Sequence, residues 1–412
     1  MTALYNLSDI AGFIDIIKSD SIDDTNILKL NKIVCRSNNS SYKVIRYDKN
    51  FLSVDLIPSY GLCRSVIVNS ENDVVGFAPP KSLPPVSFID KYQITPNNDY
   101  IVAEEFVEGT MINVFFDKTI GLTGGWEIST RNTVGATSSF YKTPNCKTFR
   151  QMFMEASVEN NLDINKLDPN LSYSFVLQHP DNRIVVPFSK PQLYLVGVYR
   201  IENSPDKVIV MPKFVSEYKN FFRELGTSVK FPEVIKFYSF KDLVDTYGSM
   251  NTPYKILGVI IHNTLTGERT KIRNPVYEQV RNLRGNQPKL QYQYLSLRKE
   301  GKVKDFLKYY PENKKEFSSF RDQLHLFTNT LFANYISCYI RKEKPLIEFS
   351  EQYRTHMFNI HKYYMDELRE KKLFVTSTIV QKYVNELHPS LLMYCLNYQM
   401  RKRNVDLIVA DN

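Results

Sequence analysis

Residues 99–117 read DYIVAEEFVEGTMINVFFD, and their reading decides the fold. Two β-forming runs, YIVAEEFV and MINVFF, flank the short break at Glu108-Gly109-Thr110. Side chains on a strand alternate between faces, so Phe106 and Glu108 share one face. Gly109 has no Cβ and lets the backbone pass close to a ligand. Further β-rich runs lie on both sides between about 40 and 275: YKVIRY, LCRSVIV, DVVGFA, WEIST, SYSFVLQ, RIVVPF, LYLVGVYR, KVIVMP and YKILGVIIH. Turn residues such as Asn-Asn-Asp and Pro-Asp-Asn separate them.

Helices are predicted at 8–32, with Ser8 or Asp9 as the cap, and at 147–160 and 212–225. Strands with inserted helices give an α+β class for residues 1–285. Beyond about 276 the strands stop. Phe317, Phe320, Leu324, Phe327 and Leu331 recur every three or four residues, a helical stripe. Further helices are predicted at 351–372, 376–387 and 389–402. Residues 286–412 are read as an all-α domain, its aromatic stripe a core rather than a platform for bases.

The chain has 412 residues with a formal net charge of +9. Residues 251–412 hold 27 Lys+Arg and 16 Asp+Glu, whereas 1–250 hold 26 and 28. The basic excess therefore lies wholly in the C-terminal part, and a polyanion such as nucleic acid is the expected partner. Cys35, Cys63, Cys146, Cys338 and Cys395 are scattered, which argues against a zinc site or a disulfide framework. No apolar run approaches the roughly 18 residues of a membrane span. The opening residues lack the basic start of a signal peptide. A cytoplasmic protein without a membrane partner is expected. The glycine-rich stretch at 121–125 lacks P-loop spacing and reads as a hairpin turn. His325, His356, His361 and His388 lack metal-ligand spacing and read as ordinary helix or surface histidines.

Several short segments occur in a telling order. They are LCRSVIV at 62–68, APPK at 78–81, the stretch at 104–114, and WEISTRNT at 126–133. SYSFV at 172–176 then runs on to PDNRIV at 180–185, and LGVI at 257–260 and KIR at 271–273 complete the set. Together they resemble the motifs of the T-even phage type of RNA ligase, within the covalent nucleotidyltransferase superfamily. RNA-ligase-like proteins of large DNA viruses are a similar group. The resemblance covers about 50–285 and implies a nucleotidyltransferase domain with antiparallel sheets. It also implies ATP or another nucleotide as ligand.

Where the family has Lys-x-Asp-Gly-Ser, this chain has Phe106-Val107-Glu108-Gly109-Thr110. A covalent nucleotidyl transfer needs an amine nucleophile, carboxylates for divalent metal, cations for the triphosphate and a slot for the base. A phenyl ring cannot form a phosphoramidate. The family's metal-associated glutamates fall on Ser174 and Leu257, so magnesium is not expected to be held in the family manner. The resemblance assigns nucleotide or phosphate contacts to Arg64, Lys81, Glu108, Gly109, Arg131, Arg183, Lys271 and Arg273. Arginine for lysine at 131 and 273 keeps the charge and binds phosphate bidentately.

Between 269 and 289, Arg269, Lys271, Arg273, Arg281, Arg284 and Lys289 face only Glu278 as an acid. On a helix from 276, Tyr277, Arg281 and Arg284 share one face. Arg269, Tyr277, Arg281, Arg284 and Lys289 are the residues expected to contact RNA. Three functions are consistent with the sequence. The first is an RNA- or nucleotide-binding relative of the ligases without covalent chemistry. The second is an active enzyme using Lys81 or Lys271 as nucleophile. The third is an interaction protein docking a partner through its helical part. Salt-sensitive RNA binding, a covalent nucleotide adduct and a stable hetero-complex separate them.

Overall fold

The computed structural model describes residues 3–19, 29–93, 99–140 and 146–401. The chain divides into two compact units, 1–281 and 282–412. The first unit is α+β and carries fourteen strands among its described residues. In chain order they are β1 Tyr5–Asn6, β2 Leu30–Ser37, β3 Ser40–Tyr47, β4 Val66–Val68, β5 Val74–Phe77 and β6 Ile101–Glu105. There follow β7 Thr110–Asp117, β8 Gly125–Ser129, β9 Leu171–Gln178, β10 Gln192–Ser204 and β11 Lys207–Lys213. The last are β12 Val234–Ile235, β13 Gly258–Asn263 and β14 Arg269–Arg273.

These strands make three sheets with antiparallel pairing: β1-β11-β10-β9-β7-β8, β12-β6-β13-β14 and β2-β3-β4-β5. Alternation within each strand decides which face is dry. In the six-stranded sheet, Ile112 and Val114 of β7 and Tyr173, Phe175 and Leu177 of β9 are buried. They pack with Met152, Phe153 and Ala156 of the helix Phe149–Glu159. Thr148 starts that helix with a capping box to Gln151. In the β12-β6-β13-β14 sheet, Ile101, Ala103, Val259, Ile261 and Ile272 form the dry face with Phe88 and Leu243. The opposite face of that sheet carries the charged residues.

Gly109 has a φ of +150°, and a Cβ there would lie 2.5 Å from the Leu177 carbonyl oxygen. The glycine is required by the approach of β7 to β9, which corrects the expectation that it opens room for a ligand. Residues 121–125 form the hairpin turn between β7 and β8, where Asp117 pairs with Gly125.

Two local expectations are overturned. The helix expected over 8–32 is confined, among the described residues, to Phe13–Lys18 after a 3-10 turn at Leu7–Asp9, and β2 begins at Leu30. Asn6, not Ser8 or Asp9, caps the turn, while the Ser8 hydroxyl accepts from the Val208 amide at 2.7 Å. The run RIVVPF at 183–188 is not a strand. It follows a 3-10 turn at Pro180–Asn182 as irregular chain, and its amides serve a buried carboxylate described below. The helix expected over 212–225 is shorter, Tyr218–Glu224.

The second unit is helical. Its longest helix, Lys314–Tyr335, buries Phe317, Leu324, Phe327 and Leu331, with Phe320 half-buried. The helices Glu351–Tyr363, Ser377–Glu386 and Pro389–Leu396 follow. Buried His356 hydrogen-bonds Tyr383 at 2.9 Å and the Cys395 thiol at 3.2 Å, a packed histidine rather than a ligand. No helix among the described residues is long and apolar enough to cross a membrane.

Candidate functional site

The register of one sheet builds the site. Val102 pairs with His262, and His262 with Arg269; Glu104 pairs with Ile260, and Ile260 with Lys271. At the next position the Phe106 amide donates to the Gly258 carbonyl, and Gly258 pairs with Arg273. Strand alternation therefore puts Arg269, Lys271 and Arg273 on the same face as Glu104 and Phe106. Gly258 has a φ of +138° and leaves its place on that face bare. The Phe106 ring reaches across. The Lys271 Nζ stands 4.4 Å from its centroid and the Arg273 guanidinium 5.7 Å. A lysine amine thus lies against the side chain that the sequence resemblance aligns with the nucleophile.

The chain around 60–83 and the edge of β8 add further cations. Arg64 donates to the Pro79 carbonyl at 3.3 Å, and burial with Arg269 and Arg131 nearby lowers its pKa to about 10. Arg269 is buried and donates through Nε to the Pro80 carbonyl at 2.9 Å and through Nη2 to that of Pro79 at 3.0 Å. Arg131 donates to the Tyr47 hydroxyl at 3.2 Å and lies over that ring. Arg46, on β3, donates to Asn132. Burial and the Arg131 charge lower the Arg46 pKa. Lys81 is exposed at the rim. Lys271 is pushed down to about 5 by burial and by the charges of Arg269, Arg64, Arg273 and Lys81. The negative face of the Phe106 ring favours an ammonium, but desolvation and the neighbouring cations outweigh it.

Two of these arginines also carry a buried nitrogen without a partner. Among the described residues, the buried side-chain atoms with no hydrogen-bond partner are Arg46 Nε, Ser65 Oγ, Ser82 Oγ and Arg131 Nε. Ser65 adjoins Arg64 and Ser82 adjoins Lys81 in sequence. Buried polar groups are normally paired, so each invites an external acceptor or donor. Carboxylates are scarce here. Arg273 pairs with Glu278, and Glu104 lies 3.5 Å from His262 rather than near a cation of this set. Beside them, a cavity of about 450 Å³ runs between the sheets, lined in part by Pro79, Pro80, Glu104, Tyr199, His262 and Arg269.

A neutral row occupies the position that the sequence resemblance aligns with a metal-holding acid. Ser174 pairs with Asn113 across β9 and β7, and Asn113 with Ser129 across β7 and β8. Ser174 Oγ donates to Asn113 Oδ1 at 2.8 Å, and Asn113 Nδ2 to Ser129 Oγ at 3.5 Å. All three are buried. These atoms satisfy one another and offer no charge to a cation. Among the described residues no group of three or more His, Cys, Asp or Glu could hold a metal ion. The donor set does not fit a divalent metal in the family's place.

Other expected site residues are placed elsewhere. Glu108 is 6% exposed, and its carboxylate accepts from the Val185 amide at 2.8 Å, the Val186 amide at 3.1 Å and the Tyr277 hydroxyl. It anchors the 183–188 segment instead of facing a ribose, and burial raises its pKa. Arg183 lies with it, donating through Nε to the Val185 carbonyl at 3.1 Å. The basic-aromatic face expected on the helix Pro275–Arg284 turns inward. Tyr277 is 2% exposed, Arg284 is buried, and Arg281 pairs with Glu278 at 3.4 Å. Lys289 is exposed. Sequence reasoning missed Arg46, Ser65 and Ser82. The only signal for Arg46 is a charge inside the β-run YKVIRY.

No family model matches the chain. It is 24% identical over 324 residues to the immediate-early protein ICP-46 homolog of Invertebrate iridescent virus 6, covering 72% of this chain and 67% of that protein. It is 24% identical over 290 residues to an RNA ligase of Rhodothermus phage RM378, covering 62% and 64%. The chain thus spans about two thirds of the length of these curated relatives. Solved structures that resemble it include Naegleria gruberi RNA ligase with pyrophosphate, at a TM-score of 0.33 and 12% identity over 49% of this chain and 57% of that one. Another form of the same ligase with ATP and manganese gives 0.34 and 10% over 64% and 82%. By its phage relative, its antiparallel α+β fold and its ordered motifs, the chain resembles the RNA-ligase type of nucleotidyltransferase.

Proposed function

We propose that this protein binds the phosphates of a nucleotide or of an RNA end in the cationic cleft of its first unit, without forming the family's lysyl-nucleotide bond. One observation carries the reading. Lys271 and Arg273 stand over the Phe106 ring, Arg64, Lys81 and Arg269 are close enough to act on the Lys271 amine, and Arg131 acts on Arg64, with Arg273 alone of the six paired to a carboxylate among the described residues. Such a set repels itself in the empty protein and is relieved by a polyanion. Phe106 removes the nucleophile, and the Ser174-Asn113-Ser129 row removes the metal's acid. The basic C-terminal part supports contact with RNA beyond the cleft, with Arg281 and Lys289 as its accessible members.

Equilibrium binding of ATP, GTP and a short RNA to the wild type and to Arg64→Ala tests this. Loss of the guanidinium should weaken binding about ten-fold or more, the value of a charge-assisted hydrogen bond. Equal affinity of the two proteins would remove the cleft from the account.

A second reading is favoured by the Lys271 amine. It lies at the Phe106 ring and is largely unprotonated at neutral pH, so it could attack an α-phosphate itself. A new N–P bond would form as the bond to pyrophosphate breaks, with the amine proton lost to solvent. A covalent nucleotide adduct that disappears in Lys271→Met would establish it.

A further inference from the structure

We infer that the cleft takes its polyphosphate in the metal-free form, and that a divalent cation competes with the protein for the ligand instead of bridging the two. The inference rests on the phosphate-binding reading above and concerns what that phosphate carries with it. A divalent ion carried on phosphates is usually received by one or two carboxylates. At the row where the family has one, Ser174, Asn113 and Ser129 are buried, neutral and mutually satisfied. Leu257 stands at the other family acid and offers no oxygen. About the Lys271 amine stand instead Arg64, Lys81, Arg269 and Arg273, and Arg46 Nε, Arg131 Nε, Ser65 Oγ and Ser82 Oγ are buried without a partner. A divalent ion on the triphosphate would cancel part of the charge that these groups attract. It would also bring a cation into a cleft that already repels its own.

Lys271 makes the same preference measurable. It faces Arg269 and Arg273 from its own strand, Arg64 and Lys81 from the 60–83 segment, and Phe106 just past the end of β6. Glu104 lies across Ile260 in its row and is engaged with His262. The charges that act most strongly on its amine are all cations, and the amine is therefore largely neutral at pH 7 in the free protein. A bound polyphosphate supplies the missing negative charge, restores the ammonium and draws a proton from solution.

The experiment is titration calorimetry of the full chain with tripolyphosphate, ATP, and a short RNA bearing a 5′-triphosphate or a 5′-hydroxyl. Each is measured in EDTA and in excess magnesium at constant ionic strength, and in buffers of different ionisation enthalpy. Binding should occur in EDTA and weaken by about ten-fold or more in magnesium. Wild type should take up close to one proton at pH 7, whereas Lys271→Arg, always charged, should bind without that uptake. The tighter of ATP and the triphosphorylated RNA identifies the source of the phosphates. Binding that requires or is strengthened by magnesium would overturn this inference and leave the phosphate reading standing. No proton uptake by wild type, or uptake retained in Lys271→Arg, would overturn the role of Lys271. No binding of any probe in either condition would overturn the phosphate reading itself.

Discussion

Lys271 is the residue on which the cleft's electrostatics are most exposed to test. Between about pH 5 and the ordinary lysine range, the unfolded chain holds a proton at this side chain and the folded chain does not. Stability must therefore rise with pH across that window, by at most about 1.4 kcal/mol per pH unit and less where solvent screens the site. Lys271→Met should flatten that rise and stabilise the protein by about 1–2 kcal/mol at pH 7, while weakening phosphate binding. Urea denaturation of both proteins at pH 6 and pH 8 measures it; parallel pH slopes would refute the assignment. Phe106 gives the complementary prediction. Phe106→Lys restores an amine but neither acid at 174 and 257, so it should yield no covalent nucleotide on a denaturing gel. At this scale the sequence singled out Arg64, Lys81, Arg269, Lys271 and Arg273, which the fold brings close enough to act on the Lys271 amine. The role of Glu108 was not legible, because a carboxylate two residues from the nucleophile position looks the same whether it meets a ribose or the amides of Val185 and Val186.

Among elements, β6, β13 and β14 do most to shape the site; Gly258 lets β13 approach β14, and Gly109 lets β7 approach β9. A Cβ at Gly258 would lie 2.1 Å from the Ile272 carbonyl oxygen, and one at Gly109 would lie 2.5 Å from that of Leu177. Both have φ values unfavourable to other residues. Gly109→Ala should cost about 2–4 kcal/mol by clash and strain, read as a lowered denaturation midpoint. A change under about 0.5 kcal/mol would show that β7 and β9 pair differently. The β-rich runs told their own structure well where strands are half-buried and alternate, as in β7 and β9. They failed at RIVVPF, whose apolar residues fill a loop anchored by Glu108. They failed again at 8–32, where an apolar pattern of helical appearance belongs partly to β2. Side-chain pattern alone cannot tell a buried loop from a strand when the deciding partner is distant in sequence. The helix Pro275–Arg284 shows the same limit, since Tyr277 turned inward to Glu108.

For the whole molecule, the uneven charge is the feature that bears on partners. Residues 251–412 carry the basic excess, and RNA affinity should therefore fall steeply with salt, whereas binding of a free nucleotide in the cleft should fall less. A fragment of residues 1–285 should retain nucleotide binding and lose part of the salt-dependent RNA affinity; equal RNA affinity in fragment and full chain would place the RNA surface in the first unit. The basic asymmetry and the α+β class could be read from the sequence because both are sums over many residues. The cleft's unpartnered atoms could not, because Arg46, Ser65, Ser82 and Arg131 meet only through the sheets. The central claim is an RNA-ligase-like cleft that holds phosphate without bonding to it. It is tested most directly by incubating the full chain with α-labelled ATP, and separately GTP, with magnesium or manganese. The same samples are then divided between a denaturing gel and a native filter-binding assay. The account predicts label retained on the native filter and absent from the denatured band. A labelled band surviving denaturation would contradict it and direct attention to the Lys271 amine.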